Sequence, residues 1–399
     1  MKLAIIGGTY LECCDDPRET VLFGSGLRAV AALANFSADL EFISCIDDEY
    51  KLSAESACET FGAKYSFTQI PEIVAFQYYH PLSIPLAISS SLEGPVTHLQ
   101  EVNAQNVMYY GMIEATAKVN AEYLVYDPQN HISYKETGSH AQHLALVLNK
   151  KESLELSRMP FNTSLEEVGK YLLHDQNAEV IVIKNGSHGA LVIDSLGVYQ
   201  IPVFKTEVVW PIGSGDIFSA TFAWKWMIEK APPEEAALFA SKCTAQYCST
   251  RYVPLPLTPA EFEPIIAAKK RKRIYLAAPF FTTSERWLVH ELHQILEEFE
   301  SDVFSPYHDV GVINENNFID EAAKIATKDL EGLKECDVVL AVVNQIDAGT
   351  LFEIGYATSF GKQVVIFSEN IHPNDLTMLV GTNCQIVNDL STAVYSVSW

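Results

Sequence analysis

The 399-residue chain has 51 acidic and 27 basic residues, a formal net charge of −24, and 48% hydrophobic content. That length suits two domains with packed cores. No apolar run reaches the roughly 18 residues of a membrane span, and the acidic balance disfavours nucleic-acid backbones and anionic membranes as partners.

The N-terminus, MKLAIIGG, runs directly into a strand that ends in glycines, so it does not read as a signal peptide. GLRAVAALANF reads as a helix, LEFISCID as a strand, and EYLVYDPQ, AEVIVIKNG and GALVID as further strands. Alternation of this kind predicts an α/β chain with a mainly parallel sheet covered on both faces. Tyr109 and Tyr110, in NVMYYGMIEA, are candidates either for stacking on a base or for core packing at the start of a helix. His140 and His143 share a spacing of three without a third metal ligand in the pattern, and His188 has no partner pattern. The eight cysteines follow no zinc or disulfide spacing and read as reduced small hydrophobes in a cytoplasmic protein.

The chemical centre of this part is PIGSGDIFSATFAW, Pro211 to Trp224. Gly213, Ser214 and Gly215 permit a tight turn, and an apolar helix follows. Backbone N–H groups at such a helix start, together with the helix dipole, favour an anion. Asp216 in the same turn could take the proton of a hydroxyl that attacks a phosphoryl group. Prolines then gather at 254, 256 and 259, followed by the basic run Lys269 to Arg273. We therefore expect a first domain over residues 1–258, a linker over 259–273 and a second domain over 274–399. Pro259 to Ala268 is a candidate last helix, and the basic run reads as a solvated connector.

The second part opens with IYLAAPFF, a strand and its loop, and HELHQILEEF, an amphipathic helix in which His290 and His293 read as surface residues. KDLEGLKECDVVLAVVN reads as a helix running into a buried strand, Val338 to Val343, and a further helix should start near Thr350, with Thr350 as its cap. Asp347 and Glu353 then lie near the carboxyl end of a strand, where open α/β sheets place ligands. A carboxylate pair there suits chemistry at a sugar carbon, one group attacking an oxocarbenium-like centre and the other handling a proton or hydroxyl.

Residues 1–255 resemble the ribokinase-like (PfkB) carbohydrate and nucleoside kinases through GSGDIFSA. The resemblance implies a three-layer α/β domain that uses ATP and Mg²⁺. It puts Asp216 in the role of catalytic base and Gly213, Ser214 and Gly215 in the anion hole. Lys184, Gly186 and Gly189, in IKNGSHGALV, fall on the segment that runs past the nucleotide. Asn149 and Glu152, in LNKKE, fall on the motif that organises Mg²⁺, while Glu12 takes the place of an aspartate that grips sugar hydroxyls. Gly24 and Gly26 match the glycine pair that approaches the sugar. Two departures stand out: the lid is reduced to about Cys13 to Phe23, and the asparagine that follows the glycine pair is replaced near Arg28.

From Arg273 onward the chain resembles the nucleoside 2-deoxyribosyltransferases through IYLAAPFF and DAGTLFEIGYA. This implies a flavodoxin/Rossmann-like parallel-sheet domain that needs no cofactor. Glu353 takes the role of nucleophile, Asp347 orients it or contacts sugar and base, Asp329 transfers a proton to the leaving base, and Tyr356 positions the glutamate. Pro279 and Phe280 belong to a loop along the nucleoside, and Asn374 to Leu379 to a late loop that implies a homo-oligomer. The expectation is a bifunctional enzyme acting on nucleosides, nucleotides or pentoses, with no nucleic-acid or membrane partner. The alternative is a first domain that senses a nucleotide or sugar and gates a nucleotide- or NAD-degrading second domain.

Overall fold

The computed structural model describes residues 2–36, 39–129, 132–265, 271–311 and 318–399. It divides into two compact units, Met1–Ala267 and Ala268–Trp399. Among the described residues, no helix is long and apolar enough to cross a membrane.

The first unit is built on a nine-stranded sheet. Its strand order is Val198–Ile201, Ala190–Asp194, Val180–Lys184, His140–Asn149, Val119–Asp127, Val102–Tyr110, Lys2–Ile6, Asp39–Ile46 and Lys64–Gln69. The pairings are parallel except the two that involve Ala190–Asp194. Strand residues alternate between two cores, as the period of two requires. Leu3 and Ile5 pack with the helices Gly24–Leu33, Ser214–Ala223 and Pro233–Thr250. Ala4 and Ile6 pack with Leu154, Val168 and Leu172 of the helices Lys150–Ser157 and Leu165–Asp175. Three layers result, the architecture expected of the ribokinase-like class. Tyr109 and Tyr110 lie in a central strand and are buried, so the expected helix start there is replaced by sheet.

A separate four-stranded sheet joins Glu19–Phe23, Tyr10–Cys14, Ala75–Tyr78 and Leu86–Ile88. The segment expected to form the reduced lid supplies two of these strands. The other two come from a stretch the sequence reading left unassigned. Near the end of the unit, Pro264–Ile265 pairs antiparallel with Val203–Phe204. A strand therefore stands where a helix over Pro259 to Ala268 was expected. Residues 266–268 of that segment, and 269 and 270 of the basic run, lie outside the described residues.

The second unit has a five-stranded, wholly parallel sheet in the order Asp302–Phe304, Arg273–Ala277, Val338–Val342, Gln363–Phe367, Gln385–Val387. Tyr275, Ala277, Val339 and Ala341 pack with Leu333, Ile354 and Ala357. The alternate residues Ile274, Leu276, Val338 and Leu340 are equally buried, so both faces are covered, as uninterrupted apolar strands demand. The segment read as a late loop is helical, a 3₁₀ turn at Pro373–Leu376 running into Thr377–Gly381.

Candidate functional site

In the first unit the turn Gly213–Gly215 opens the helix Ser214–Ala223, with Gly213 at φ +77°. Ser214 N–H donates to Pro211 O at 3.0 Å, and Ile217 N–H closes the first helical turn on Gly213 O at 3.1 Å. Between them the N–H groups of Gly215 and Asp216 have no intrahelical acceptor, as at any helix start. Asp216 is engaged at both oxygens: Arg28 Nη1 donates to Oδ2 at 2.9 Å and Gln129 Nε2 to Oδ1 at 2.6 Å. Burial raises its pKa, opposed by the Arg28 charge.

Arg28 also forks onto Glu12. Nη1 reaches Oε1 at 2.9 Å and Nη2 pairs with Oε2. Glu12 Oε1 accepts a further bond from Gly24 N–H at 3.1 Å. The Arg28 side chain is 3% exposed. It lies so close over Gly213 that a Cβ there would fall 2.2 Å from Arg28 Nε. Gly26 is packed by the chain itself, since a Cβ would meet Phe42 at 2.5 Å and Gly7 C at 2.7 Å. A cavity of about 360 Å³ opens beside this cluster, lined by Glu12, Arg28, Tyr78, Trp210, Tyr247 and Arg251 among others. Arg28 was noticed in the sequence only as a departure. Its two partners, Glu12 and Asp216, lie 16 and 188 residues away.

Lys184 donates to Asp127 Oδ2 at 2.8 Å and to Ser219 Oγ at 3.2 Å, and its Nζ lies 3.5 Å from the position a Cβ on Gly215 would take. Gly186 and Gly189, at φ +52° and +81°, shape the turn after Lys184. Asn149 and Glu152 bond each other across the first turn of their helix, at 2.7 and 2.8 Å. Burial and the neighbouring Asp127 charge lift the Glu152 pKa to about 7, with Lys184 opposing. Asp127 Oδ1 is buried without a hydrogen-bond partner among the described residues. Two carboxylates facing one ammonium leave a surplus negative charge, a donor set that fits a hard divalent cation such as Mg²⁺.

In the second unit, Asp347 caps the helix Ala348–Ser359. Its Oδ2 accepts from Thr350 N at 2.7 Å and Thr350 Oγ1 at 2.9 Å. Thr350 is therefore a donor to the cap, and the helix starts two residues before the expected position. Glu353, on the second turn, accepts a hydrogen bond from Tyr275 OH at 2.7 Å. Burial lifts the Glu353 pKa to about 7. The Tyr275 bond opposes this, while the charges of Asp329 and Asp347 add to it. Asp329 is lifted to about 6 by burial, and its Oδ1 has no partner among the described residues. The three expected acidic residues thus share one electrostatic neighbourhood.

The tyrosine on Glu353 is Tyr275, which the sequence reading missed. Tyr356 instead packs on Phe360 at 4.9 Å and Phe352 at 6.1 Å. Phe280 stacks on Phe281 at 5.4 Å and lies 5.5 Å from Tyr307. Pro279 lines a cavity of about 310 Å³ with Thr282, Glu285, Asn344 and Gln345; Glu353 is not part of its wall. Asp337 ends a helix–strand junction by accepting Arg273 N–H at 2.8 Å. His290 and His293 gather with His308, but among the described residues no group of three His, Cys, Asp or Glu is arranged to hold a metal.

Residues 103–259 match the pfkB family of carbohydrate kinases, and residues 274–388 match the nucleoside 2-deoxyribosyltransferase family. The chain thus carries, in N- to C-terminal order, a ribokinase-like PfkB domain and a nucleoside 2-deoxyribosyltransferase-like domain. Over 81 residues it is 33% identical to an ATP-dependent ribose-1-phosphate kinase of Halopiger xanaduensis. That match covers 20% of this chain and 27% of the relative, so the chain spans about a quarter of that protein. Solved structures that resemble it include aminoimidazole riboside kinase from Salmonella enterica (TM-score 0.48, 15% identity, 63% of this chain and 94% of that one). Another is the nucleoside kinase of Methanocaldococcus jannaschii (TM-score 0.47, 15% identity, 64% and 95%).

Proposed function

We propose that this chain is a two-domain enzyme of nucleoside metabolism whose second unit breaks an N-glycosidic bond through Glu353. The observation that carries this reading is Glu353 itself, a part-buried carboxylate held by Tyr275 and poised near neutrality beside Asp329 and Asp347. In its ionised form Glu353 attacks the anomeric carbon. The C–N bond breaks, its electron pair goes to the base nitrogen, and Asp329 in its acid form delivers the proton. The sugar is left as a glutamyl ester, which water or a second base resolves. Asp347 orients the helix and faces the sugar, and Phe280 offers a ring for the base.

The first unit, on this proposal, transfers the γ-phosphoryl group of ATP to a sugar or nucleoside hydroxyl. Asp127, Glu152 and Asn149 would hold the Mg²⁺ that neutralises phosphate charge. Asp216 accepts the hydroxyl proton as that oxygen attacks phosphorus, and ADP leaves with the bridging oxygen's electron pair. Gly215 and Asp216 N–H groups face the transferred oxygens. The two chemistries fit one another, since cleavage releases a pentose and phosphorylation traps it; the opposite order is equally allowed.

The experiment is to supply deoxynucleosides, ribonucleosides, their monophosphates and NAD, with and without ATP and Mg²⁺, and to follow free base and phosphorylated products by mass spectrometry. Base release should disappear in Glu353→Ala and phosphorylation in Asp216→Asn. Equal base release from wild type and Glu353→Ala ends the glycosidic reading. A second reading draws on the full occupation of Asp216 by Arg28 and Gln129: the first unit binds a nucleotide or sugar and gates the second without turnover. ATP binding without phosphoryl transfer, coupled to ligand-dependent base release, would favour it.

A further inference from the structure

We propose that Arg28 is a latch on the kinase unit that an acceptor carrying a phosphate group opens, so that the acceptor is a pentose phosphate or nucleoside monophosphate and not a neutral sugar. This rests on the kinase reading above and names the substrate class for that same site.

A general base needs a free lone pair aimed at the hydroxyl it deprotonates. Asp216 is held back in this arrangement, because Oδ2 is paired with the Arg28 charge and Oδ1 accepts from Gln129. Glu12, the expected grip for sugar hydroxyls, is equally taken, with both oxygens on Arg28 and a further bond from Gly24. The residue of this cluster still able to donate is Arg28. Its Nε is buried without a partner among the described residues, and the guanidinium borders the cavity of about 360 Å³. Gly213 completes the seat, since any side chain there would overlap the guanidinium.

Freeing Asp216 means separating it from Arg28. Arg28 would then keep its forked contact with Glu12 and lose the one with Asp216, and a second anion restores that lost contact to the buried guanidinium. A neutral pentose brings only hydroxyls. A phosphate matches the fork of the guanidinium and takes the place Asp216 gives up, while Lys184 remains to balance the freed carboxylate. Arg251 lies on the same cavity wall, with its guanidinium carbon 3.7 Å from the Trp210 ring centroid and its Nη2 paired with Glu19, which lines that wall too.

The test is calorimetric binding to the full-length wild-type chain of ribose against ribose 1-phosphate and ribose 5-phosphate, and of adenosine against its monophosphate, with inorganic phosphate as a separate arm. At least one phosphorylated member should bind more tightly than its neutral counterpart by on the order of tenfold or more. Arg28→Gln should erase the difference, and Arg28→Lys should restore part of it. This comparison in the wild type decides without any variant. Neutral and phosphorylated ligands binding equally overturns the latch, as does inorganic phosphate binding as tightly as the sugar phosphates. Phosphoryl transfer is followed separately by phosphorus NMR. Neutral acceptors turned over as fast as phosphorylated ones overturn the latch and leave the kinase reading intact. Preferential binding of phosphorylated acceptors without turnover keeps the anion site and ends the kinase reading.

Discussion

The phenol of Tyr275 donates to Glu353 Oε1 at 2.7 Å, tying the first strand of the second unit to a helix that begins 73 residues later (348 − 275). Tyr275 is fully buried and stacked on Phe304 at 5.4 Å, so its hydroxyl is fixed in place. A hydrogen bond to the charged form of a carboxylate favours ionisation. Tyr275→Phe should therefore raise the Glu353 pKa further. Base release should fall about tenfold at pH 7, with the deficit shrinking toward pH 9. A wild-type to variant ratio that stays constant across that range would remove Tyr275 from the positioning role.

The pH profile of base release should be bell-shaped. Glu353 must be ionised to attack, so activity rises as pH passes through about 7. Asp329 must be protonated to serve the leaving base, so activity is lost as pH rises beyond about 6. The two carboxylates interact, so the limbs belong to the pair, with an optimum between about 6 and 7. In Asp329→Asn the limb set by loss of the acid should vanish. A profile that climbs steadily to pH 9 in the wild type would contradict these assignments.

Asp347 serves as helix cap and as neighbouring charge, and two variants separate the roles. Asp347→Ala should lower stability by about 1 kcal/mol through loss of the cap, read by urea denaturation. Asp347→Asn retains a capping oxygen and should stay within about 0.5 kcal/mol of wild type. It also removes a charge that raises the Glu353 pKa, so the limb near 7 should move down. If that limb stays in place in the Asn variant, Asp347 acts on the helix alone.

Arg28, Glu12 and Asp216 form a buried charge cluster with side chains 3%, 8% and 14% exposed. Removing its only cation by Arg28→Met should cost about 3–5 kcal/mol, because two buried carboxylates lose the charge that both are paired with. Adding Glu12→Gln to that variant should recover part of the loss. Equal urea midpoints for wild type and Arg28→Met would show that the cluster contributes nothing to stability.

Features set by short-range chemistry were legible in the sequence. The strand–helix alternation, the apolar Val338 run and the glycine turn before Asp216 all depend on residues within a few positions of each other. What was not legible depends on distant ones. Tyr275 looked like a core residue of an apolar strand, and its partner lies 78 positions on. Gln129 reaches Asp216 across 87 positions. The strands Ala75–Tyr78 and Leu86–Ile88 are short, and Leu86 and Ile88 are exposed, so they carry no clean alternation to read. At the helix before Glu353, Asp347 and Thr350 are both good capping residues. The structure has Asp347 capping across Ala348 and Gly349, whose side chains are only a methyl group and a hydrogen.

Asn149 and Glu152 bind one another before they bind anything else. A lineage that abandoned phosphoryl transfer would still be penalised for losing either one, because the start of the helix would fray. Their persistence in a descendant is thus a poor witness to its chemistry, and an orphaned oxygen such as Asp127 Oδ1 is the better one, since nothing in the architecture asks for it.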